Sequence, residues 1–294
     1  MNFPGDLEGE LRLLLADEYR EFLDVSNRPL RQSFRINTLK AGPDEGFDFE
    51  GERVPWCPAG RFASSKVSEF VEHFQGLVYV QESASMLPSE VLAPEAGDTV
   101  LDLSAAPGSK TTHMAALMGN EGCIVANDVD YGRLKSLRFN LNRMGVANAI
   151  VTCADGAGLE PNIMFDKVLL DAPCSNAGQL RDNPDALATW TRKKVRQCSQ
   201  LQKRLILRAA DLLKDGGTLV YSTCTFSPEE NEEIVDHAIE ERGLRVEGIE
   251  GGFRRHHGLK EWKGREYPGQ VRETVRLYPH DNDTGGFFVA KLRK

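Results

Sequence analysis

The feature that most constrains the fold is a series of five short apolar runs separated by helical patterns. The runs indicate buried strands over Thr99–Leu103, Cys123–Asn127, Ala149–Cys153, Lys167–Leu170 and Thr218–Ser222. Helical periodicity extends over Lys110–Met118, Tyr131–Met144, Trp190–Leu213 and Pro228–Glu240. Strands that alternate with helices form a parallel sheet covered on both faces. The sequence therefore predicts an α/β fold with a doubly wound, mostly parallel sheet, closed by a late hairpin of Thr274–Tyr278 with Gly286–Leu292.

A smaller unit precedes this sheet. Apolar residues recur at helical spacing over Leu7–Phe22, and Ser33–Asn37 indicates a short strand. Ala41–Phe62 is rich in Gly and Pro, which predicts an irregular loop. A chain of 294 residues exceeds one average domain. We therefore predict a small N-terminal α+β domain over residues 1–75 and a larger domain over residues 76–294.

Composition excludes several classes of protein. A net charge of −8 and a pI near 5.4 argue against a general polycation, although a local basic surface suffices to bind nucleic acid. The six cysteines include no C-x-x-C pair, which predicts reduced thiols rather than a zinc ribbon or a disulfide framework. The chain has no apolar run long enough to span a membrane, and its start lacks the order of a secretory signal. We therefore expect a cytoplasmic protein.

Polar or reactive side chains follow every predicted strand. In an open α/β sheet, ligands bind beyond the carboxyl ends of the strands. In strand order, these ends carry Ser104–Lys110, Asp128, Asp155, Asp171 with Cys174, and Cys224. A single Asp at such a position is more often a helix cap or a turn residue. Five strand ends with such residues at one edge indicate a site.

The residues at this edge also indicate the ligand. The turn after the first strand leads into a helix, whose free N–H groups suit a phosphate or a carboxylate. Ser109 separates Gly108 from Lys110, so the P-loop pattern fails, and G-x-G-x-x-G is absent. Asp128 and Asp155 are placed to accept from ribose hydroxyls and an adenine amino group. An adenosine ligand with a carboxylate and no pyrophosphate describes S-adenosylmethionine (AdoMet).

The segments LDLSAAPGSKT, DAPCS and YSTCT resemble the motifs of the NSUN/RsmB/Sun (Fmu) family of AdoMet-dependent RNA cytosine-5 methyltransferases. PLRQSFRINTLK, VYVQESASMLP, RDNPD, SPEENE and TGGFFVAKLRK also resemble family segments, so the likeness extends from Arg28 onward. Within the family, the chain resembles the compact archaeal-type tRNA members. The resemblance implies a Rossmann-like class I methyltransferase domain over residues 76–294 and an RNA-binding domain over residues 1–75.

The resemblance also implies roles for individual residues. Cys224 would be the nucleophile, Cys174 would assist product release, and Lys110 and Asp171 would also face the target base. The residues implied to surround AdoMet are Ser104, Ala105, Ala106, Pro107, Gly108, Ser109, Lys110, Asp128, Arg133, Asp155 and Asp171. The chain departs from the family at three positions, with Ser104 for the usual Cys, Ser109 for a Gly and Asn176 for a Gly. These departures leave the loop geometry open.

Two thiols suit this chemistry. Carbon 5 of cytosine is a poor nucleophile, and a thiolate that adds to C6 pushes electron density onto C5. A second thiol beside the base can then help to remove the C5 proton. The other four cysteines, Cys57, Cys123, Cys153 and Cys198, are expected to be core thiols, since free Cys is among the most buried residue types.

Basic segments indicate where RNA would lie. Between Ala186 and Ala210 there are seven basic residues and no acidic one, on a predicted helix. Further basic groups are Arg28, Arg31, Arg35, Lys40, Arg254, Arg255, Lys260, Lys263 and Arg265. His256 and His257 lack partners at ligand spacing, so we predict no metal. We expect a monomer that acts on RNA, with tRNA favoured over rRNA, and that binds no membrane.

Two other functions remain open at this point. In a DNA cytosine-5 methyltransferase, the Cys of a Pro-Cys motif, here Cys174, would be the nucleophile and Cys224 would have no role. A catalytically silent RNA assembly factor would keep the fold and bind AdoMet without turnover. The presence of both Cys174 and Cys224 favours an active RNA enzyme.

Overall fold

Two main sheets organise the computed structural model, which describes residues 3–42, 44–183 and 185–294. The first sheet has four strands in the order β2-β3-β1-β4, and all neighbours are antiparallel. Its strands are β1 (Ser33–Ile36), β2 (Glu50–Arg53), β3 (Gly60–Ala63) and β4 (Val78–Val80). The prediction of an irregular loop over Ala41–Phe62 was therefore wrong in part. The strand β2 has the sequence EGER and is largely exposed, so no apolar alternation marked it.

The second sheet begins with five parallel strands. They are β5 (Thr99–Asp102), β6 (Cys123–Asn127), β7 (Ala149–Thr152), β8 (Phe165–Asp171) and β9 (Leu213–Thr223). Their spatial order is β7-β6-β5-β8-β9. The order reverses beside β5, which gives the doubly wound arrangement that the sequence predicted.

Six strands follow toward the C-terminus, and four of them extend this sheet. They are β10 (Arg245–Glu247), β11 (His256–His257), β12 (Glu261–Trp262), β13 (Arg265–Glu266), β14 (Val275–Leu277) and β15 (Phe287–Arg293). The predicted hairpin is confirmed, because β14 and β15 pair antiparallel and β15 then pairs antiparallel with β9. The strands β10 and β11 pair with β15 and β14, whereas β12 and β13 pair with each other in a separate two-stranded sheet. The nine-stranded sheet is therefore mixed, with its parallel part at the predicted site.

Ten helices connect or flank these strands within the described ranges. They are α1 (Gly5–Leu15), α2 (Tyr19–Ser26), α3 (Val71–Gln75), α4 (Leu87–Leu92), α5 (Ser109–Leu117), α6 (Tyr131–Met144), α7 (Asp185–Ala188), α8 (Arg192–Asp211), α9 (Glu232–Arg242) and α10 (Pro279–Asn282). The single helix predicted over Leu7–Phe22 is broken, because Ala16 has a φ of 45° and ends α1. In the described part of the chain, no helix is both long and apolar enough to cross a membrane.

Alternate side chains of the parallel strands pack on opposite faces of the sheet. Leu101 and Leu219 are fully buried in the cluster that contains Ile206 of α8. Val100, which lies next to Leu101, is buried in the other cluster together with Met114 of α5. Each face therefore has its own apolar core, and both cores fix the strand ends that carry the predicted site residues.

The N-terminal helices α1 and α2 pack against residues that flank the second sheet rather than against the first sheet. Leu11 and Phe22 share a buried cluster with Trp190 and Phe226. The rings of Phe22 and Phe226 meet edge to face, with centroids 5.6 Å apart. The strand β4, which follows the boundary predicted near residue 75, pairs with β1 of the first sheet. The domain division stays a proposal, and the pairing favours a boundary just after β4.

Candidate active site

The predicted site residues surround one cavity of about 480 Å³. It lies beside the ends of the parallel strands, where ligands bind in doubly wound folds. Its lining includes Ser104, Ala105, Ala106, Pro107, Ser109, Lys110, Asp128, Arg133, Asp155, Asp171, Cys174 and Cys224. Gly108 is not part of the lining. It has a φ of 105°, and a Cβ there would lie 2.9 Å from Leu137 Cδ1, so a glycine lets the turn approach α6.

Asp128 fixes the loop at one end of the cavity. Its side chain is 2% exposed, its Oδ2 accepts from the Ala106 N–H at 3.1 Å, and its Oδ1 accepts from the Asp130 N–H at 3.0 Å. Arg133 pairs with Asp128 at 3.3 Å and also donates to the Ala106 carbonyl oxygen. These contacts hold the backbone of Ala106 beside the start of α5. Asp155 lies at the same cavity with a side chain that is 59% exposed.

A second buried carboxylate, Asp102, also lines the cavity, and the sequence reasoning did not include it. Its Oδ2 accepts from the Thr111 hydroxyl at 2.7 Å, while its Oδ1 has no hydrogen-bond partner among the residues that the structure describes. Burial raises the pKa of Asp102 to about 7. Asp102 is the last residue of β5, and its unpartnered oxygen is a signal that only three-dimensional packing could show.

An ion pair lies at the centre of the site. Lys110 Nζ donates to Asp171 Oδ2 at 2.7 Å and to the Ser85 hydroxyl at 3.0 Å. The Ser222 hydroxyl donates to Asp171 Oδ1 at 2.7 Å. The Lys110 side chain is 8% exposed and the Asp171 side chain 31%, so the pair is shielded yet reachable from the cavity.

The two predicted thiols meet directly. The sulfur atoms of Cys174 and Cys224 are 3.2 Å apart, and both lie within 3.3 Å of Asn176 Oδ1. Asn176 has a φ of 64°, a conformation that Gly adopts freely and Asn tolerates. The departure from the family at Asn176 therefore preserves the turn and adds a hydrogen-bond acceptor. The hydrogen bond with Cys224 and burial both raise the pKa of Cys174.

A buried carboxylate joins the loops that carry the two thiols. Glu230 Oε1 accepts from the Ser175 N–H at 2.9 Å and from the Gln202 side chain at 3.2 Å. Its Oε2 accepts from the hydroxyls of Ser175 at 2.5 Å and of Thr225 at 3.4 Å. Ser175 directly follows Cys174, Thr225 directly follows Cys224, and their hydroxyl oxygens lie 2.8 Å apart. The segment SPEENE resembles the family, but no role was predicted for Glu230. Ser175 and Glu230 are 55 residues apart in the chain, so their hydrogen bonds are visible only in the fold.

A second cavity of about 260 Å³ adjoins the first. Both cavities are lined by Ser85, Pro107, Ser109, Lys110, Asp171, Gln179 and Cys224. Cys174 lines only the larger cavity, whereas Cys224 lines both. The ion pair and the Cys224 thiol thus stand between two spaces, which is the arrangement that transfer between two bound molecules requires.

The remaining cysteines differ in burial. Cys57 is buried, as expected, and Cys123 and Cys198 are half-buried. The prediction that Cys153 is a core thiol was wrong, because Cys153 is exposed. It follows β7, the outermost strand of the parallel part, where only one neighbouring strand covers the chain.

The basic segments are partly engaged in ion pairs. On α8, Lys203 lies 3.8 Å from Glu233 and Arg204 lies 3.5 Å from Asp155, while Lys193 and Arg196 are exposed. Arg35 is fully buried and donates to Gln81 and Thr112, so the expectation that it contacts RNA was wrong. Its position in β1 turned the side chain toward the interior. Arg28 remains exposed.

Comparison with known proteins places these features in a family. The profile of the 16S rRNA methyltransferase RsmB/F family matches residues 89–293, and that of the N-terminal domain of 16S rRNA methyltransferase RsmF matches residues 3–83. A tRNA (cytosine(49)-C(5))-methyltransferase of Pyrococcus abyssi is 45% identical over 95% of this chain and 93% of its own length. Ribosomal RNA small subunit methyltransferase F of Erwinia tasmaniensis is 39% identical over 99% of this chain, which spans 63% of that longer protein.

Solved structures agree with this likeness. A methyltransferase homolog protein from Pyrococcus horikoshii is 36% identical, with a TM-score of 0.85 over 97% of this chain and 93% of its own. NSun6 from Pyrococcus horikoshii, solved with the AdoMet analogue SFG, is 26% identical, with a TM-score of 0.78 over 99% of this chain and 98% of its own. The predicted family and fold are thereby confirmed. The chain belongs to the RsmB/F (NOP2/Sun) family of AdoMet-dependent methyltransferases.

Proposed function

We propose that this protein transfers a methyl group from AdoMet to carbon 5 of cytosine in RNA, with Cys224 as the nucleophile. The observation that carries the proposal is the pair of sulfur atoms, 3.2 Å apart, beside the Lys110–Asp171 ion pair. Cytosine-5 chemistry needs a thiolate at C6 and a means of releasing it afterwards. The relatives in the family are named as cytosine-C5 or rRNA methyltransferases, which supports the same reaction.

The larger cavity fits AdoMet. The buried Asp128 carboxylate suits ribose hydroxyls, and the unpartnered Oδ1 of Asp102 can accept a further hydrogen bond. The first N–H groups of α5 suit the ligand's carboxylate, since the start of a helix attracts anions. When bound, AdoMet supplies an electrophilic methyl group. Arg133 would act through Asp128, and Asp155 would contact the adenine end of the ligand from its exposed position.

The two thiols have unequal roles in this proposal. Cys174 retains its proton at neutral pH, because its pKa is raised by the bond with Cys224 and by burial. Cys224, which lines both cavities, adds to C6 of the base and thereby makes C5 nucleophilic. After methyl transfer, a water molecule takes the C5 proton, the electron pair of the C5–H bond restores the C5–C6 double bond, and the C6–S bond breaks so that Cys224 leaves as a thiolate. The Cys174 thiol, 3.2 Å away, donates a hydrogen bond to the departing sulfur and so assists release.

The smaller cavity is the proposed pocket for the flipped cytosine. Asp171 accepts from the exocyclic amino group, which cytosine has and uracil lacks. Lys110 orients Asp171 through their 2.7 Å contact. Chemistry at C5 requires the base to leave its stack, and single-stranded or opened RNA offers such a base.

We propose tRNA as the RNA substrate, with rRNA as the alternative. The tRNA methyltransferase relative is covered over 93% of its length, whereas the small subunit methyltransferase F relative is covered over only 63%. Exposed basic residues on α8 (Lys193 and Arg196) would contact phosphates, and the segment of residues 1–75 would help to select the RNA. The protein would act as a monomer in the cytoplasm, where thiols stay reduced.

Labelled AdoMet tests the proposal directly. The purified protein is incubated with in vitro transcribed tRNA, with a 16S rRNA fragment and with a DNA of matched sequence, followed by bisulfite mapping. We expect 5-methylcytosine in RNA, with tRNA the better substrate. Methylation of DNA alone would support the DNA enzyme, and AdoMet binding without transfer to any RNA would support the silent assembly factor.

A further inference from the structure

Four side chains of metal-binding type converge where the N-terminal helices meet the C-terminal strands. Glu18 lies in the turn between α1 and α2, His256 in β11, and His280 and Asp281 in α10. One donor atom from each lies within 4.8 Å of all the others. None of them lines the two cavities of the active site. Sequence spacing gave His256 no partners, because its neighbours come from other elements of the fold.

Three of the donor distances are close to those of a tetrahedral zinc site. His256 Nε2 lies 3.1 Å from Asp281 Oδ1 and 3.5 Å from Glu18 Oε2. His280 Nε2 lies 3.0 Å from the same Glu18 oxygen. Zn–N and Zn–O bonds of about 2.0–2.2 Å place tetrahedral donors about 3.3–3.5 Å apart. The other three pairs of donor atoms lie within 4.8 Å, so shifts of up to about one ångström would bring all four donors onto one ion.

Packing already orients the ligands. Asp281 Oδ2 accepts from the Tyr278 N–H at 2.9 Å, which leaves Oδ1 directed at His256. The His256 ring meets Tyr278 edge to face at 5.0 Å, and the His280 ring meets Phe22 at 6.1 Å. The His280 and Asp281 side chains are 0% exposed. Such support reduces the reorganisation that ion binding needs.

The charged groups around the four donor atoms can accommodate a bound cation. Arg254 lies 3.4 Å from Asp281 and 3.6 Å from Glu18, and its side chain is 54% exposed. It also lies 3.9 Å from Glu21, toward which it can turn when an ion neutralises the other carboxylates. Imidazole and carboxylate groups bind a metal ion in their deprotonated forms, so ion binding should become tighter as pH rises.

A competing cluster is less suited to a cation. Cys57, Glu90 and His113 also place donor atoms within 4.8 Å of one another. The guanidinium of Arg35 is fully buried and lines the same small cavity as Glu90 and His113. A fixed positive charge with no route to solvent opposes a second cation, unlike the exposed Arg254.

We propose that Glu18, His256, His280 and Asp281 bind one divalent transition-metal ion of the zinc type. The ion fastens the turn between α1 and α2 to β11 and α10, which lie far away in sequence. Its role is structural, since no ligand belongs to the active site. Because a site formed only in the folded chain stabilises that state, the ion raises the melting temperature.

The test uses the full chain after chelator treatment, titrated with Zn²⁺ by calorimetry and with Co²⁺ by absorption spectroscopy. We expect one ion per chain, visible Co²⁺ bands of tetrahedral type, and no thiolate charge-transfer band in the near ultraviolet. His256→Ala should weaken Zn²⁺ binding roughly 100-fold or more, because losing a ligand costs at least as much as losing its support. His257→Ala is the matched control and should leave affinity unchanged, since His257 contacts the Arg272 carbonyl oxygen instead.

Three results would overturn the proposal. They are a failure of the wild-type chain to bind Zn²⁺ or Co²⁺, equal affinity in His256→Ala, and a thiolate band that disappears in Cys174→Ser or Cys224→Ser. Glu18→Gln provides a second variant in case His256→Ala does not fold, and it should weaken binding in the same direction. Because the readout is ion binding, the result is independent of methyl transfer.

Discussion

Two buried carboxylates near the active site are held in opposite ways. Glu230 accepts four hydrogen bonds and ties together the loops after β8 and β9. Asp102, at the end of β5, accepts one bond from Thr111 and keeps its Oδ1 without a partner. A satisfied carboxylate rigidifies its surroundings, whereas an unsatisfied one retains capacity for a ligand. The thiol half of the site is thus preorganised by the protein, and under our proposal AdoMet would complete the cofactor half.

Glu230→Ala tests the hydrogen-bond network of Glu230 and should have the largest effect. It leaves the Ser175 N–H and the Gln202 side chain without their buried acceptor, at a cost of about 2–4 kcal/mol in unfolding free energy. Displacement of the thiol loops should lower kcat roughly 100-fold. Urea denaturation and labelled methyl transfer measure the two effects.

Glu230→Gln should recover part of both losses because it keeps one acceptor oxygen. Glu240→Gln, at an exposed position on α9, is the matched control and should change neither. If Glu230→Ala kept wild-type kcat, the thiol loops would not depend on this carboxylate.

Asp128→Asn against Asp155→Asn sharpens the description of the cofactor half. The Asp128 side chain is 2% exposed, so the loss of its carboxylate should weaken AdoMet binding about 10- to 100-fold. The Asp155 side chain is 59% exposed, and solvent screens its contacts, so its loss should weaken binding less than about 3-fold. Calorimetry with AdoMet gives both constants. Equal effects would show that burial does not determine which of these two residues contributes more to AdoMet binding.

Asp102→Asn tests the unpartnered carboxylate through pH. The folded pKa of Asp102 is raised to about 7 from a usual value of 3.8, so the unfolded chain loses this proton first as pH rises. Stability linked to Asp102 is therefore present below pH 4 and is lost as pH rises toward 7 and above. Between pH 5 and pH 8, the unfolding free energy of the wild type should fall further than that of Asp102→Asn, by about 1 kcal/mol or more. A variant with the wild-type pH profile would contradict the assignment.

Lys193→Ala combined with Arg196→Ala should have the smallest effect. Both side chains are exposed on α8, outside the two cavities. Their loss should raise KM for RNA roughly 3-fold at physiological salt and reduce its salt dependence, with kcat unchanged. A lower kcat with unchanged KM would place these residues in catalysis rather than RNA binding.

The sequence predicted the parallel sheet and its ligand edge because their signals are local. Apolar runs such as Thr99–Leu103 mark buried strands, and motif segments such as Ser104–Lys110 and Cys224 directly follow them. The Glu230 network could not be predicted, because Ser175 and Glu230 are 55 residues apart and meet only in the fold. The strand β2 was not predicted for a different reason, since an exposed strand carries no apolar alternation.

Burial was the least predictable property of individual side chains. Arg35 is charged, yet it is fully buried because β1 lies between β3 and β4 and directs the side chain inward. Cys153 is apolar in character, yet it is exposed because it follows an edge strand. Both outcomes depend on which element covers a strand, and no local pattern encodes that.

The order of the two thiols is the central claim, and trapping of a covalent RNA complex tests it most directly. Wild type, Cys174→Ala and Cys224→Ala are incubated with tRNA and AdoMet and then separated on a denaturing gel. We predict that Cys174→Ala accumulates a covalent protein–RNA complex, because attack proceeds and release is impaired, whereas Cys224→Ala forms none. A complex that forms with Cys224→Ala and not with Cys174→Ala would contradict the account.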